Sequence, residues 1–427
     1  MTAEVSVMNR LGVALAADSA VTIGQDAKKI HTSADKLFQL TPQSAIGVMI
    51  YGNADFVGLP WETVVKTYRK ECKSKTEKTV EDYALNFINF LSKTNKLFPQ
   101  TGQDFAAAQL AYFHLVSLRE QLLQKLDDEA VTRKGGLKPK DIPKIVTDEV
   151  KSVLAIVRKR KLIKGFDKPF RERMKKRHTP IITKLRKDVF DKLPISSSTS
   201  RNIATFIHEI LWRELFGPMK TGLVVAGFGD DEFLPSLINY ELEGMLGGRP
   251  RFAQANNNEV TTTNRAAVIP FAQLDMVQTF MNGIQSELSE YMTETTDELF
   301  QSFARLIVDL VKGEDKSMGR KLETKLLPNT DKLTKSLFDK WKSRRQRYWA
   351  PVIQIASTLP KDELASMAEA LVNLTKFRRR VTNVPETVGG PIDVALITKG
   401  DGFVWIKRKH YFTSDLNPRK MASYCEN

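Results

Sequence analysis

The 427-residue sequence predicts an α+β fold: a four-layer α-β-β-α sandwich of two antiparallel sheets face to face, helices outside, with an inserted helical region. Three observations predict it. Strand-like apolar segments stand near the start, in the middle and near the end of the chain. Helical spacing fills the intervals, so the order reads strands, helices, strands, helices, strands. Long, mostly polar helical segments break into that order after residue 103.

Residues 2 to 8 and 12 to 18 read as two strands around a turn at Asn9 and Arg10, a hairpin that pairs position 2 with position 18. A second hairpin follows, S-A-D-K-L-F-Q-L, a turn at Pro42 and Gln43, then A-I-G-V-M-I-Y-G-N-A-D, with Lys36 at its start. Pro60 stands where a helix begins, and Trp61, Val64, Val65 and Tyr68 recur at helical spacing. Thr79 with Asp82 three residues on forms a capping pair, ahead of an apolar face of Tyr83, Phe87, Phe90 and Leu91. These aromatic residues read as core. T-G-L-V-V-A-G-F-G returns to strand, S-L-I-N-Y-E-L-E-G is its partner, and Gly247-Gly248 is a turn. Gly227-Phe228-Gly229 is a strand-ending turn, because no further fingerprint glycine and no P-loop lysine follow. Phe271 to Ile284 and then Leu299, Phe300, Phe303, Leu306, Ile307 and Leu310 carry helical spacing. A last helix from Lys361 to Arg380 leads into two closing strands.

This order divides the chain into a first half of the core (1–102), a basic helical insertion (103–216), a continuation of the core (217–311), a smaller basic helical elaboration (312–350), the closing helix and strands (351–415) and a tail (416–427). Between Arg133 and Arg201 stand 22 lysines and arginines against 7 acids, an excess equal to the +15 of the whole chain. Runs such as R-K-R-K at 158 to 161 and R-E-R-M-K-K-R at 171 to 177 attract phosphates or acidic protein surfaces through long-range electrostatics. No zinc finger, aromatic ribonucleoprotein motif or helix-turn-helix pattern accompanies them. Nucleic acid, an acidic protein, self-assembly and a merely solvated helical face all stay open as their role.

A hydrophobic content of 42% suffices for a sizeable core. Cys72 and Cys425 form neither a redox pair nor a metal spacing, and five scattered histidines suggest no metal. No stretch of about twenty apolar residues exists, and the first residues alternate as a strand rather than forming a leader. The expectation is a soluble, cytoplasmic protein without cofactor, metal or membrane association.

Chemistry concentrates at the first strands. Removal of Met1, which a small second residue permits, exposes Thr2, and the hairpin gathers a free amine, a hydroxyl and the carboxylate of Asp18, to which Lys36 adds a cation. Taken singly, a Met-Thr start, an aspartate at a strand end and a lysine at a strand start are ordinary; their joint spacing is not. An α-amine titrates near about 7.7–8.0 and a lysine side chain near about 10.4, so at neutral pH the amine of Thr2 is the base. The nearby cation favours an alkoxide-like hydroxyl, and Asp18 holds the ammonium.

G-V-A-L-A-A-D-S-A-V-T-I-G, K-L-F-Q-L and G-V-M-I-Y-G-N-A-D resemble the amino-terminal half of a proteasome β-subunit or HslV-type peptidase, both N-terminal-nucleophile (Ntn) hydrolases. The resemblance covers about the first 95 residues and, more loosely, residues 219–245 and 361–410. It implies an Ntn-hydrolase sandwich in which Thr2 is the nucleophile, Asp18 and Lys36 complete the site, and Ser19 is auxiliary. The oxyanion donors, which the family takes from a Gly-Gly backbone, fall at Tyr51 and Gly52, where a tyrosine side chain would narrow the substrate pocket. Ala20 stands where an arginine commonly follows A-A-D-S, and Phe228 where a serine is expected. The family's D-x-x-S-G-G run reads Pro385-Glu386-Thr387-Val388-Gly389-Gly390, so Glu386 and Thr387 are the auxiliary candidates, each one position from its expected place. The implied function is a threonine-dependent hydrolase, a peptidase acting on a peptide or protein substrate, with self-assembly and an ATPase unfoldase as further partners. The alternative is an inactive proteasome-like scaffold that uses the basic insertion for nucleic acid or acidic partners; a small-molecule amidase shares the nucleophile.

Overall fold

The computed structural model describes residues 3–23, 29–31, 33–72, 76–94, 96–133, 136–191, 193–273, 275–382, 388–410 and 412–419. In chain order the strands and helices are β1 (Ala3–Asn9), β2 (Gly12–Asp18), β3 (Val21–Ile23), β4 (Lys29–His31), β5 (Leu37–Gln39), β6 (Ile46–Gly52), β7 (Asp55–Phe56), β8 (Leu59–Pro60), α1 (Trp61–Cys72), α2 (Val80–Lys93), α3 (Gln100–Thr132), α4 (Ile142–Arg158), α5 (Lys168–Val189) and α6 (Ser197–Trp212). They continue with β9 (Thr221–Gly227), β10 (Ser236–Leu246), β11 (Arg249–Glu259), β12 (Ala266–Ala272), α7 (Asp275–Asn282), α8 (Ser286–Glu314), α9 (Lys316–Ala356), α10 (Lys361–Val381), β13 (Ile392–Thr398) and β14 (Gly402–Lys407). The fold is mixed α and β, with two antiparallel five-stranded sheets. Its contacts divide the chain into two units, one of residues Met1–Ala34, Val260–Leu396 and Val404–Thr413, the other of Asp35–Glu259, Ile397–Phe403 and Ser414–Asn427.

In the first unit the sheet order is β12-β1-β2-β13-β14. Every residue of β1 and β2 is buried, so both faces are covered. One face sets Ala3, Val5, Val7, Ala14 and Ala16 against Leu364, Ala365, Ala368, Leu371 and Val372 of α10. Alanines on both sides of that contact let helix and strands approach closely. The register pairs Glu4 with Ala17 and Asn9 with Gly12, which moves the turn to Arg10 and Leu11, one residue beyond the expected place. Asn9 stays in the strand with its side chain bonded on both ends: its Oδ1 accepts the Leu11 N–H at 2.8 Å, and its Nδ2 donates to the carbonyls of Ala356 and Leu359, each at 2.9 Å. Phe271 also corrects the helix expected over Phe271 to Ile284. It lies in β12, paired with Glu4, and α7 starts only at Asp275. β12 is an edge strand, where Pro270 is tolerated because its missing N–H interrupts no inner ladder.

In the second unit the order is β11-β10-β9-β6-β5. Val48, Ile50, Leu223, Val225, Ile238 and Tyr240 cover α1 and α2, which contribute Trp61, Val64, Tyr68, Tyr83 and Phe87. The rings of Tyr68 and Phe87 meet edge to face at 5.0 Å. Thr79 caps α2 in a capping box with Asp82, satisfying two backbone N–H groups that the helix end would otherwise orphan. Helices α3 to α6 build a core of their own from Leu115, Leu118, Val146, Val150, Ile203 and Ile207. The cations Arg158 to Lys161 and Arg173 to Arg177 therefore stay on the solvent side, where Arg177 forks onto Asp104 at 2.7 and 2.6 Å.

In this helical region His178 and His208 are buried and His114 is half-buried. Burial pushes His114 down to about 4, with the Arg251 charge adding to it, and pushes His208 down to about 4, helped by the Lys175 charge. Burial lowers His178 as well. Each is held neutral in the folded state and takes up its proton more readily when unfolded, near about 6.5. Their contribution to stability is thus complete above about pH 6.5 and is lost as the pH falls below it, for His114 and His208 by up to roughly 1.4 kcal/mol per pH unit each down toward pH 4. Urea unfolding followed by helical circular dichroism should show a midpoint falling over that window, and His208→Gln should flatten it.

Candidate functional site

β1 and β2 bring the buried carboxylate of Asp18 level with Ala3, whose N–H donates to Oδ1 at 3.0 Å. Oδ2 accepts the N–H groups of Gly389 at 2.9 Å and Ala20 at 3.2 Å. Three stretches of chain, the start of β1, the turn after β2 and the segment before β13, thus converge on one side chain that is 1% exposed. Three N–H donors stabilise an ionised carboxylate away from water. Ser19 ties the same segments together: its N–H donates to the Gly389 carbonyl at 3.2 Å, its hydroxyl to the Pro391 carbonyl at 2.7 Å, and its own carbonyl accepts from Ala34 at 3.1 Å. Lys376 of α10 donates to the Gly390 carbonyl at 2.8 Å, which fixes the loop from the helix side. Neither Gly389 nor Lys376 was given a contact by sequence reasoning. The Gly-Gly pair was visible, but the partner it meets lies 371 residues away. The pairing of position 2 with 18 gives way to position 3, a consequence of the shifted turn. Thr2, Glu386 and Thr387 lie outside the described residues.

The other candidates belong to the second unit. Lys36 is 5% exposed, immediately before β5, and its carbonyl accepts the Ile50 N–H at 2.9 Å. Gly52 ends β6 at φ +84°, and a Cβ there would come within 2.5 Å of the Lys220 carbonyl oxygen, so position 52 admits only glycine. Tyr51 lies flat across the neighbouring strand. A Cβ on Gly222, its register partner in β9, would fall 1.9 Å from the ring, and Asn239 of β10 donates to the Tyr51 hydroxyl at 2.8 Å. Gly222→Ala should therefore cost about 1–3 kcal/mol in urea unfolding. Combining it with Tyr51→Ala should recover most of the steric part; costs that simply add would show that the ring is not what the new methyl meets.

Among the described residues no group of three or more His, Cys, Asp or Glu side chains is placed to hold a metal ion, and no helix is long and apolar enough to cross a membrane. No protein-family model matches the chain, and no curated protein matches it. Among solved structures, an Anbu (Gly-1) mutant from Hyphomicrobium sp. strain MC1 is similar at 12% identity, over 100% of this chain and 96% of that one, with a TM-score of 0.28. Overlap of that quality carries no argument about this chain's fold or chemistry.

Proposed function

We propose that the chain is a proteasome-like Ntn hydrolase with a four-layer α-β-β-α core, a cytoplasmic threonine peptidase that cleaves amide bonds through Thr2 once Met1 is removed. The observation that carries the reading is the Asp18 carboxylate, buried beside the start of β1 and held by the N–H groups of Ala3, Ala20 and Gly389. The burial of both faces of β1 and β2, with α10 against one of them, supports a layered core.

In this mechanism the Thr2 hydroxyl attacks the substrate carbonyl and gives its proton to the α-amine. Backbone N–H groups at Tyr51 and Gly52 receive the developing oxyanion. The amine returns the proton to the leaving nitrogen, which departs as the C–N bond breaks. Water, deprotonated by the same amine, then releases the acyl group from its ester with Thr2. Lys36 supplies the cation that favours the hydroxyl's ionisation, Asp18 orients the terminus, and Ser19, Glu386 and Thr387 support it. Peptides or unfolded proteins are the substrate class, with an ATPase unfoldase as the partner that delivers them.

Incubation with a β-lactone or epoxyketone probe should add one probe mass to the intact chain, at Thr2, and none to Thr2→Ala. Retention of Met1 throughout the active preparation would oppose the mechanism, because an acylated amine has no basic lone pair. Ala20 and Phe228, where the family carries arginine and serine, favour a second reading: a proteasome-like scaffold that binds nucleic acid or acidic proteins through the 103–216 segment. Salt-sensitive retention of nucleic acid without probe labelling would establish that reading.

A further inference from the structure

A cavity of about 370 Å³ lies wholly within the second unit, between the first half of α3, the β7-β8 turn and the end of β10. Phe56, Leu110, Phe113, Leu242, Met245 and Leu246 give it an apolar lining. Leu242 pairs with Thr221, whose hydroxyl accepts the Trp61 indole N–H at 3.1 Å, so both face the layer of α1 and α2. The Tyr51 ring crosses Gly222 on the opposite face of the same sheet, so the cavity is not the space in front of that ring. Protein interiors hold few voids larger than a water molecule, and an apolar space of this size with a few polar groups on its walls has the make-up of a ligand site.

Two features shape those walls for an occupant. β7 and β8 pair Asp55 with Pro60 and Phe56 with Leu59, which leaves a two-residue turn whose Val57 and Gly58 both have positive φ, 51° and 80°. Such a turn favours asparagine first and glycine second, and a β-branched residue in the first place is strained. Val57 is nevertheless held there, with its side chain on the cavity wall beside Gly102, where a Cβ would stand 3.7 Å from Val57 Cγ1. Backbone strain of this kind clusters at ligand sites.

The second feature is the buried pair of Arg251 and Glu243. The five N–H groups of Arg251 are all engaged, by the carbonyls of Leu211, Ile210 and Leu215 and by the carbonyl and Oε2 of Glu243. None is left for a ligand. Oε1 of Glu243 shares the single Gly217 N–H with Oε2, at 3.0 Å, which leaves acceptor capacity on a side chain 5% exposed. Of the three charged residues in the lining two are acidic, Glu243 and the exposed Asp55, so the cavity carries a net negative charge and presents carboxylate acceptors.

We propose that this cavity binds a small amine, an ammonium carried on an apolar, ring-bearing body. The ring fills the space between α3 and β10, and the ammonium donates to the carboxylates that line it. An anion of the same shape meets two carboxylates and an arginine with no N–H to spare. Binding of this kind is independent of Thr2.

Isothermal titration calorimetry of the full-length chain with phenylbutylamine, phenylbutanol and phenylbutyrate tests the inference. The amine should bind about 10-fold or more tightly than the alcohol, the scale of a hydrogen bond to a charged group, and the acid should bind most weakly. Asp55→Asn should remove most of the preference for amine over alcohol and leave the alcohol's affinity unchanged. Ala106→Phe, at a half-buried position of the lining, should fill the space and abolish binding of all three without lowering the urea midpoint. Val57→Asn, which suits the turn, should hold or raise that midpoint while weakening amine and alcohol alike. No binding of the amine, equal affinity for amine and acid, or amine binding unchanged in both Ala106→Phe and Val57→Asn would each overturn the proposal.

Discussion

Arg251→Met should lower the unfolding free energy by about 3–5 kcal/mol, the loss expected when one partner of a buried ion pair is removed. Arg251 is 1% exposed, and its guanidinium meets Glu243 at 3.1 Å. The same group donates to the carbonyls of Leu211 at 2.8 Å and of Ile210 and Leu215 at 2.9 Å. Ile210 and Leu211 lie in the last turn of α6, where four carbonyls have no partner within the helix and the dipole favours a cation. One side chain therefore caps a helix, neutralises Glu243 and joins the helical region to β10 and β11. Burial lowers the affinity of Arg251 for its proton, and Glu243 opposes that shift. Methionine fills the volume but leaves Glu243, among the described residues, with only the Gly217 N–H, at 3.0 Å from each oxygen, and returns none of the carbonyl contacts.

Arg251→Lys should fall between wild type and Arg251→Met, since an ammonium carries the charge but not the planar fork that reaches the Glu243 carboxylate and several carbonyls at once. Arg160→Ala, at an exposed position, should change stability by about 0.5 kcal/mol or less. Chemical denaturation read by helical signal separates these outcomes. A loss below about 1 kcal/mol for Arg251→Met would mean that the region relaxes and lets water reach Glu243 and the carbonyls, contrary to the packing described.

Such a clamp was invisible in the sequence, where arginine carries a strong expectation of exposure and R-P-R-F has no apolar alternation. The same strand, β11, ends in Gln254 to Glu259, whose polar residues gave the period-two signal nothing to register, and Pro270 concealed β12. The parts that were legible announce themselves locally. β1 with β2 and β5 with β6 are apolar runs around short turns, α1 and α2 show their buried faces at helical spacing, and Thr79 with Asp82 marks a helix start. The site divides along the same line. Asp18 could be singled out from local spacing, whereas its contact with Gly389 depends on a tertiary approach that no local pattern encodes, and a one-residue change of turn was enough to put Ala3 rather than Thr2 in register with it.

Asp18→Asn should remove probe labelling and also destabilise the chain by about 1–3 kcal/mol, whereas Lys36→Met should slow labelling in a chain that still forms the sheet. The difference follows from what each group holds. Both oxygens of Asp18 accept N–H donors, Oδ1 from Ala3 and Oδ2 from Ala20 and Gly389. An asparagine keeps one acceptor and turns the other into a donor, so either orientation of its amide sets N–H against N–H for at least one partner. The start of β1 or the 388–391 segment must then move, and with it any terminal nucleophile. Lys36 is buried, but methionine follows the path of its aliphatic stem and the backbone bond from Ile50 is untouched, so the sheet persists while the cation is gone. Under the proposed mechanism the labelling rate should fall by about 100-fold or more in Lys36→Met, the scale of a missing proton-transfer or charge contribution. Full-rate labelling in that variant, with Thr2 intact, would remove Lys36 from the chemistry and leave Asp18 as a structural carboxylate that closes the sheet.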